Sequence, residues 1–161
     1  MNSVITVGKD WTMIKDIDYL NSNPCDLIHL KELITGKIVV MGLHTWMTKG
    51  TIFTGKAAKI YVLSDRPVRA KSCIPVYSVE ELLDELHYYT DESIFVVGGT
   101  ETTHKLWEHL DTFYVTHLNN LMPSGEKFPN LDNVNYLEMV DKANRICGDI
   151  KFSFKTYKKA S

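Results

Sequence analysis

The chain has 161 residues, 44% of them hydrophobic and 24% charged, with a formal net charge of −2. That length supports one domain with a sizeable core, and the charge implies no general attraction to nucleic acid or membranes. Three cysteines without CxxC spacing argue against a disulfide framework or a cysteine zinc site, and fit a reducing cytoplasm.

Val4 to Val7 reads as a short apolar strand, closed by the turn residues Gly8-Lys9-Asp10. Nothing at this end has a basic stretch followed by a long apolar one, so no signal peptide is expected. Residues 11 to 23 look irregular. Pro24 can open a helix, because its fixed φ suits the first turn. Leu27, Leu30 and Leu33 then recur at helical spacing, and Gly36 closes the segment. Asp26 falls near the edge of that apolar face. It is either an exposed first-turn acid favoured by the helix dipole or an acid placed in a pocket, and position alone favours the first.

Ile38 to Met41 is an apolar β-branched run of the kind buried on both faces of a sheet. A helix start follows at His44, then a loop over Gly50 to Lys59. Strands are expected at Ile60 to Leu63, Cys73 to Tyr77, Ser93 to Val97 and Thr112 to His117. Ser78-Val-Glu-Glu81 is a capping box for a helix running to about His87. Thr100 to His109 reads as another helix, and residues 119 to 134 as loop. Tyr136 to Val140 and Ile150 to Tyr157 alternate as antiparallel strands do. The expected fold is α/β: a single domain over residues 1–161, with a mostly parallel central sheet of about eight strands. Helices flank it and the C-terminal strand is antiparallel.

Ligands bind such sheets beyond the strand C-termini. Three strand-to-helix or strand-to-turn junctions carry suitable chemistry there. Val97-Gly98-Gly99-Thr100 lets a phosphate approach the backbone at a helix start. Met41-Gly42-Leu43-His44-Thr45 places two polar donors at another. Leu63-Ser64-Asp65-Arg66 offers a hydroxyl and a guanidinium. Each alone can be a plain turn. Together they suggest a dinucleotide laid across several strand ends. The usual Gly-x-Gly-x-x-Gly after the first strand is absent, as are hydrolase, P-loop and His-Glu-x-x-His motifs.

At this point the chain resembles the dihydrofolate reductase family. The residues that carry the likeness are Pro24-x-Asp26-Leu27-x-x-Leu30-Lys31, Thr35-Gly36, Val40-Met41-Gly42-x-His44-Thr45-Trp46, Leu63-Ser64, Val97-Gly98-Gly99 and Phe128-Pro129. The resemblance implies hydride transfer from NADPH to C6 of dihydrofolate, with a proton going to N5. It makes Asp26 the acid of the pterin pocket and Thr116 the residue that orients it. Val4, Ile5 and Thr6 would line the pterin, and Leu27, Leu30 and Phe53 would wall the pocket. Lys56 stands where the family grips the substrate carboxylate with arginine. The cofactor side would comprise Val7, Leu43, His44, Thr45, Ser64, Arg66, Val97, Gly98 and Gly99, with Thr100, Glu101 and Thr102 at the start of the next helix.

The departures are specific. Leu43 replaces an arginine beside the cofactor phosphates. Asn21 stands where a tryptophan helps hold a water. Lys56 is a point charge and not a fork, and Glu101 sits where an arginine reads the 2′-phosphate. A cytoplasmic monomer acting on dihydrofolate and NADPH is expected, with no nucleic-acid, membrane or metal partner. The alternatives are a reductase-fold binding or structural protein with weak or lost turnover, and a reductase of a related pterin or pyrimidine.

Overall fold

A computed structural model of the chain describes residues 1–14, 23–69, 71–122 and 125–160. Asn21 and most of the expected irregular stretch before Asn23 lie outside the described residues. Eight strands form one sheet: β1 (Asn2–Val7), β2 (Ile38–Gly42), β3 (Lys59–Leu63), β4 (Ile74–Val76), β5 (Ile94–Val97), β6 (Thr112–Leu118), β7 (Leu137–Cys147) and β8 (Ile150–Lys159). Their order is β4-β3-β2-β5-β1-β6-β8-β7. All neighbouring pairs from β4 to β6 are parallel. β8 runs antiparallel to both β6 and β7, so it alone opposes the rest among the described strands.

Four helices connect these strands: α1 (Pro24–Ile34), α2 (Leu43–Phe53), α3 (Val79–Leu86) and α4 (Thr100–Lys105). The crossovers that run outward from β1 to β3 put α1 and α2 on one face. There Ile34 and Phe53 pack on Val39 and Met41. The crossovers that return put α3 and the segment after α4 on the other face, where Leu82, Leu86, Leu106 and Leu110 pack with Ile38 and Val40. Successive residues of β2 therefore feed opposite cores, which is why its sequence is apolar throughout rather than alternating.

The local signals explain the element ends. Asn23 caps α1, its Oδ1 accepting from the Asp26 N–H at 3.2 Å, and Pro24 occupies the first turn. Gly36 follows the helix at φ +74°. Ser78 accepts from the Glu81 N–H at 3.0 Å, while the Glu81 carboxylate reaches one residue further back, to the Tyr77 N–H at 2.9 Å.

Four expectations are corrected. α2 runs through Gly50 to Phe53, so the expected loop shrinks to the turn after Phe53. The helix begun at Thr100 stops at Lys105, and a separate 3-10 turn spans Trp107–His109. β7 continues seven residues beyond Val140, to Cys147. Cys25 and Cys147 form a disulfide, with Cα atoms 6.1 Å apart, leaving Cys73 as the free cysteine. The odd cysteine count hid a pair, and the argument from cysteines to a reducing compartment lapses with it. No described helix is long and apolar enough to cross a membrane.

Candidate active site

Because β1, β2, β3 and β5 are parallel, their C-terminal ends share one edge of the sheet. Two connected depressions open there. The first is an apolar pocket between α1, α2 and the ends of β1 and β5. Val4, Ile5 and Thr6 of β1 form its floor, with Val97 and Gly98 beside them. Leu30 of α1 and Phe53 of α2 form walls.

Asp26 lies in this pocket and is only 4% exposed. It is therefore the pocket acid and not a solvated first-turn residue. Thr116 on β6 donates its hydroxyl to Asp26 Oδ1 at 2.7 Å. Thr6 donates to Oδ2 at 3.0 Å. A buried carboxylate needs such donors, since desolvation without them costs several kcal/mol. Charge-assisted hydrogen bonds are the strong kind.

Two further groups at the pocket are titratable. His29 lies one turn along α1 from Asp26, and its ring stacks on Phe154 at a 3.9 Å centroid separation. Burial lowers its proton affinity below the ordinary histidine value, with the nearby Asp26 charge opposing. Lys49 lines both the pocket and the adjoining groove. Sequence reading missed His29 and Lys49, as well as Met13 and Ile14, which line both depressions. Helical spacing held the signal for Lys49: Thr45, Lys49 and Phe53 are four residues apart, and all three line the pocket.

The second depression is a long groove over the ends of β2, β3 and β5. All three junctions identified in the sequence meet in it. Gly42, Leu43, His44 and Thr45 come from the start of α2, and Ser64 and Arg66 from the turn after β3. Gly98, Gly99, Thr100, Glu101 and Thr102 come from the start of α4. Neither α2 nor α4 has a side-chain N-cap, so first-turn N–H groups remain for a ligand at this edge.

Backbone approach is tight here. Gly98 and Gly99 both have φ +76°. A Cβ on Gly98 would meet Thr45 Cγ2 at 3.1 Å, and one on Gly42 would meet Thr102 Oγ1 at 2.7 Å. Ser64 is buried and closes its own turn, accepting from the Arg66 N–H at 3.1 Å and donating to the Arg66 carbonyl at 2.7 Å. Among the described residues the Arg66 guanidinium pairs with Asp65, at 3.3 Å, and both side chains are largely solvated. Glu101 pairs with Lys105 at 3.0 Å, so its charge is met from within α4.

Four expected site residues do not line either depression: Thr116, which is buried and reaches the site through its bond to Asp26, and three others. Val7 is fully buried in the core. Leu27 is half-buried on α1. Lys56 is exposed in the turn after α2, where its backbone bonds to Phe53 and Gly36.

A family model described as "Dihydrofolate reductase" matches residues 1–159. The dihydrofolate reductase of Bacillus subtilis is 27% identical over 122 residues, covering 76% of this chain and 71% of its own. That of Staphylococcus aureus is 24% identical over 106 residues, covering 66% of this chain and 63% of its own. Among solved structures, a dihydrofolate reductase from Enterococcus faecalis complexed with NADP(H) superposes with a TM-score of 0.78 at 20% identity, over 99% of this chain and 96% of that one. The Schistosoma mansoni enzyme superposes at 0.80 with 21% identity, over 99% and 97%. These superpositions speak for the fold. The match in sequence runs from Met1 to Lys159 and takes in every strand that builds the pocket and the groove, so the chain belongs to the dihydrofolate reductase family of oxidoreductases.

Proposed function

We propose that the protein reduces 7,8-dihydrofolate to 5,6,7,8-tetrahydrofolate with NADPH. The observation that carries this reading is the buried Asp26 carboxylate, held by Thr116 in an apolar pocket that opens onto a glycine-lined groove. A flat heterocycle with several ring N–H donors fits such a pocket. Its apolar walls exclude water, and its single acid accepts from the donors.

The groove residues fit a dinucleotide. Gly98 and Gly42 stand where a Cβ would crowd the groove's own threonines, so the backbone there is open to a pyrophosphate. The uncapped start of α2 offers N–H groups to its charge. Arg66 would take the 2′-phosphate, with Ser64 fixing the turn that carries it. When bound, NADPH supplies the hydride.

The protein's own part is positioning and proton management. Val4, Ile5, Leu30 and Phe53 hold the ring and keep water off it. Asp26 accepts from the ring N–H groups and favours the protonated form of the substrate, so it promotes protonation at N5. Thr116 keeps the carboxylate in place.

One observation favours a second reading. Lys56 stands outside both depressions, so the grip on an acidic tail is weakened or lost. This is consistent with a reduced pterin that lacks a glutamate tail.

The test is NADPH absorbance on purified protein with dihydrofolate and, separately, with a tail-less dihydropterin. Dihydrofolate-dependent oxidation supports the first reading. Turnover of the tail-less compound alone supports the second. Binding of NADPH without oxidation by either would contradict both.

A further inference from the structure

Thr6 and Thr116 are register partners on the adjacent parallel strands β1 and β6. Paired residues of neighbouring strands project from the same face of a sheet. The two hydroxyls therefore stand side by side, and each donates to a different oxygen of Asp26, at 3.0 and 2.7 Å. The terminal torsion of an aspartate is broad and two-fold, so its helix does not fix the plane of the carboxylate. A donor on one oxygen constrains that plane less than donors on both. Here the two donors come from two strands.

We propose that Thr6 is a second positioning residue for Asp26: its hydroxyl holds Oδ2 as Thr116 holds Oδ1, and so helps set the carboxylate plane against the sheet. The proposal rests on the reading of Asp26 as the acid of a pterin reductase. It gives Thr6 a role beyond lining the pocket. Both threonine protons are spent on the carboxylate, so toward any ligand Thr6 Oγ1 can act only as an acceptor.

Each donor favours the charged form over the protonated one. Removing the Thr6 hydroxyl therefore makes the carboxylate easier to protonate, and its titration midpoint moves up. Among the described residues, the other charged or titratable groups lining the pocket are His29 from α1 and Lys49 from α2. β6 presents Tyr114 on the same face, two residues before Thr116, packed with Val4 and Leu30. His29, Lys49 and Tyr114 all remain in a Thr6 variant, so a changed midpoint is assigned to the lost hydroxyl.

The experiment is a carbon-13 NMR titration of the Asp26 carboxyl, assigned by its absence in Asp26→Asn. It is run on the unaltered protein, Thr6→Val and Thr6→Ser, beside the pH profile of dihydrofolate reduction. Valine keeps the branched shape and removes the hydroxyl; serine keeps the hydroxyl and removes the methyl. Thr6→Val should raise the midpoint by roughly 0.5–1 pH unit and raise the KM for dihydrofolate several-fold, with NADPH affinity unchanged. Thr6→Ser should bring the midpoint back. An unshifted midpoint in Thr6→Val, or a serine variant that matches the valine one, would overturn the proposal. A shifted midpoint in a protein that never oxidises NADPH with dihydrofolate upholds the clamp and overturns the reductase reading alone.

Discussion

Cys25 is bonded to Cys147 across 122 residues of chain, one position before Asp26. The bond ties the first turn of α1 to the end of β7, beside the small apolar cluster of Ile14, Leu118 and Phe152. Closing so long a loop restricts the unfolded chain, and native disulfides of this kind contribute about 2–5 kcal/mol. Cys25→Ala with Cys147→Ala should lower stability by that order. It should also raise the KM for dihydrofolate, because the turn that carries Asp26 loses its anchor. Urea unfolding with and without reductant checks the first point. Equal midpoints would show that the bond contributes nothing in solution.

Gly98→Ala places a Cβ 3.1 Å from Thr45 Cγ2 at a backbone φ of +76°. The left-handed conformation alone costs about 1–2 kcal/mol for an L-residue. Relief of either strain moves the turn that lines the groove. NADPH affinity should fall by about tenfold or more, measured by calorimetry, while thermal unfolding shifts by only a few degrees. Unchanged affinity would place the cofactor away from this turn.

Arg66→Ala should weaken NADPH by roughly 10–100-fold, the loss of one charge-assisted contact, and leave NADH unaffected. The guanidinium's partner, Asp65, is solvated and the pair is readily given up. Leu43 offers no charge, so affinity for NADPH should be micromolar or weaker before any substitution. Equal losses for both dinucleotides would remove Arg66 from 2′-phosphate recognition.

His117 accepts from the Lys155 ammonium at Nδ1, at 2.8 Å, and donates from Nε2 to the Lys9 carbonyl at 3.2 Å. Burial lowers its proton affinity below the ordinary value of 6.5, and Lys155 adds to the effect. The folded protein thus refuses a proton that the unfolded chain accepts. Its stabilising contribution is complete above pH 6.5 and is lost as pH falls toward the lowered folded value. His29 acts in the same direction. His117→Gln should flatten part of the stability decline between pH 7 and pH 5, read by urea midpoints. Parallel slopes for both proteins would contradict this.

Much of this was legible in the sequence because the signals are local. Asn23-Pro24 and Ser78-x-x-Glu81 start helices through bonds within four residues. The β2 and β5 runs are apolar because both faces are covered. Gly98-Gly99 marks its turn because few other residues hold a positive φ. What was missed depends on distant partners. β7 is exposed along most of its length, so no alternation of apolar residues extends it past Val140. The Cys25–Cys147 bond needs a β-hairpin to reach back to α1. Thr6 became a partner of Asp26 only once α1 lay over β1. Lys56 matched a family position by count, yet it stands exposed in the turn after α2, outside both depressions.

The role of Asp26 is the centre of the functional reading, and Asp26→Asn tests it most directly. Asparagine keeps the size and one acceptor but loses the charge. Single-turnover hydride transfer from NADPH to dihydrofolate, measured between pH 5 and pH 8, should fall by roughly two to four orders of magnitude at neutral pH. The loss should shrink as pH is lowered, because the substrate then takes its proton from solution, and NADPH binding should stay near that of the unaltered protein. Unaltered rates across the whole range would contradict the proposed mechanism and leave Asp26 as a buried structural acid.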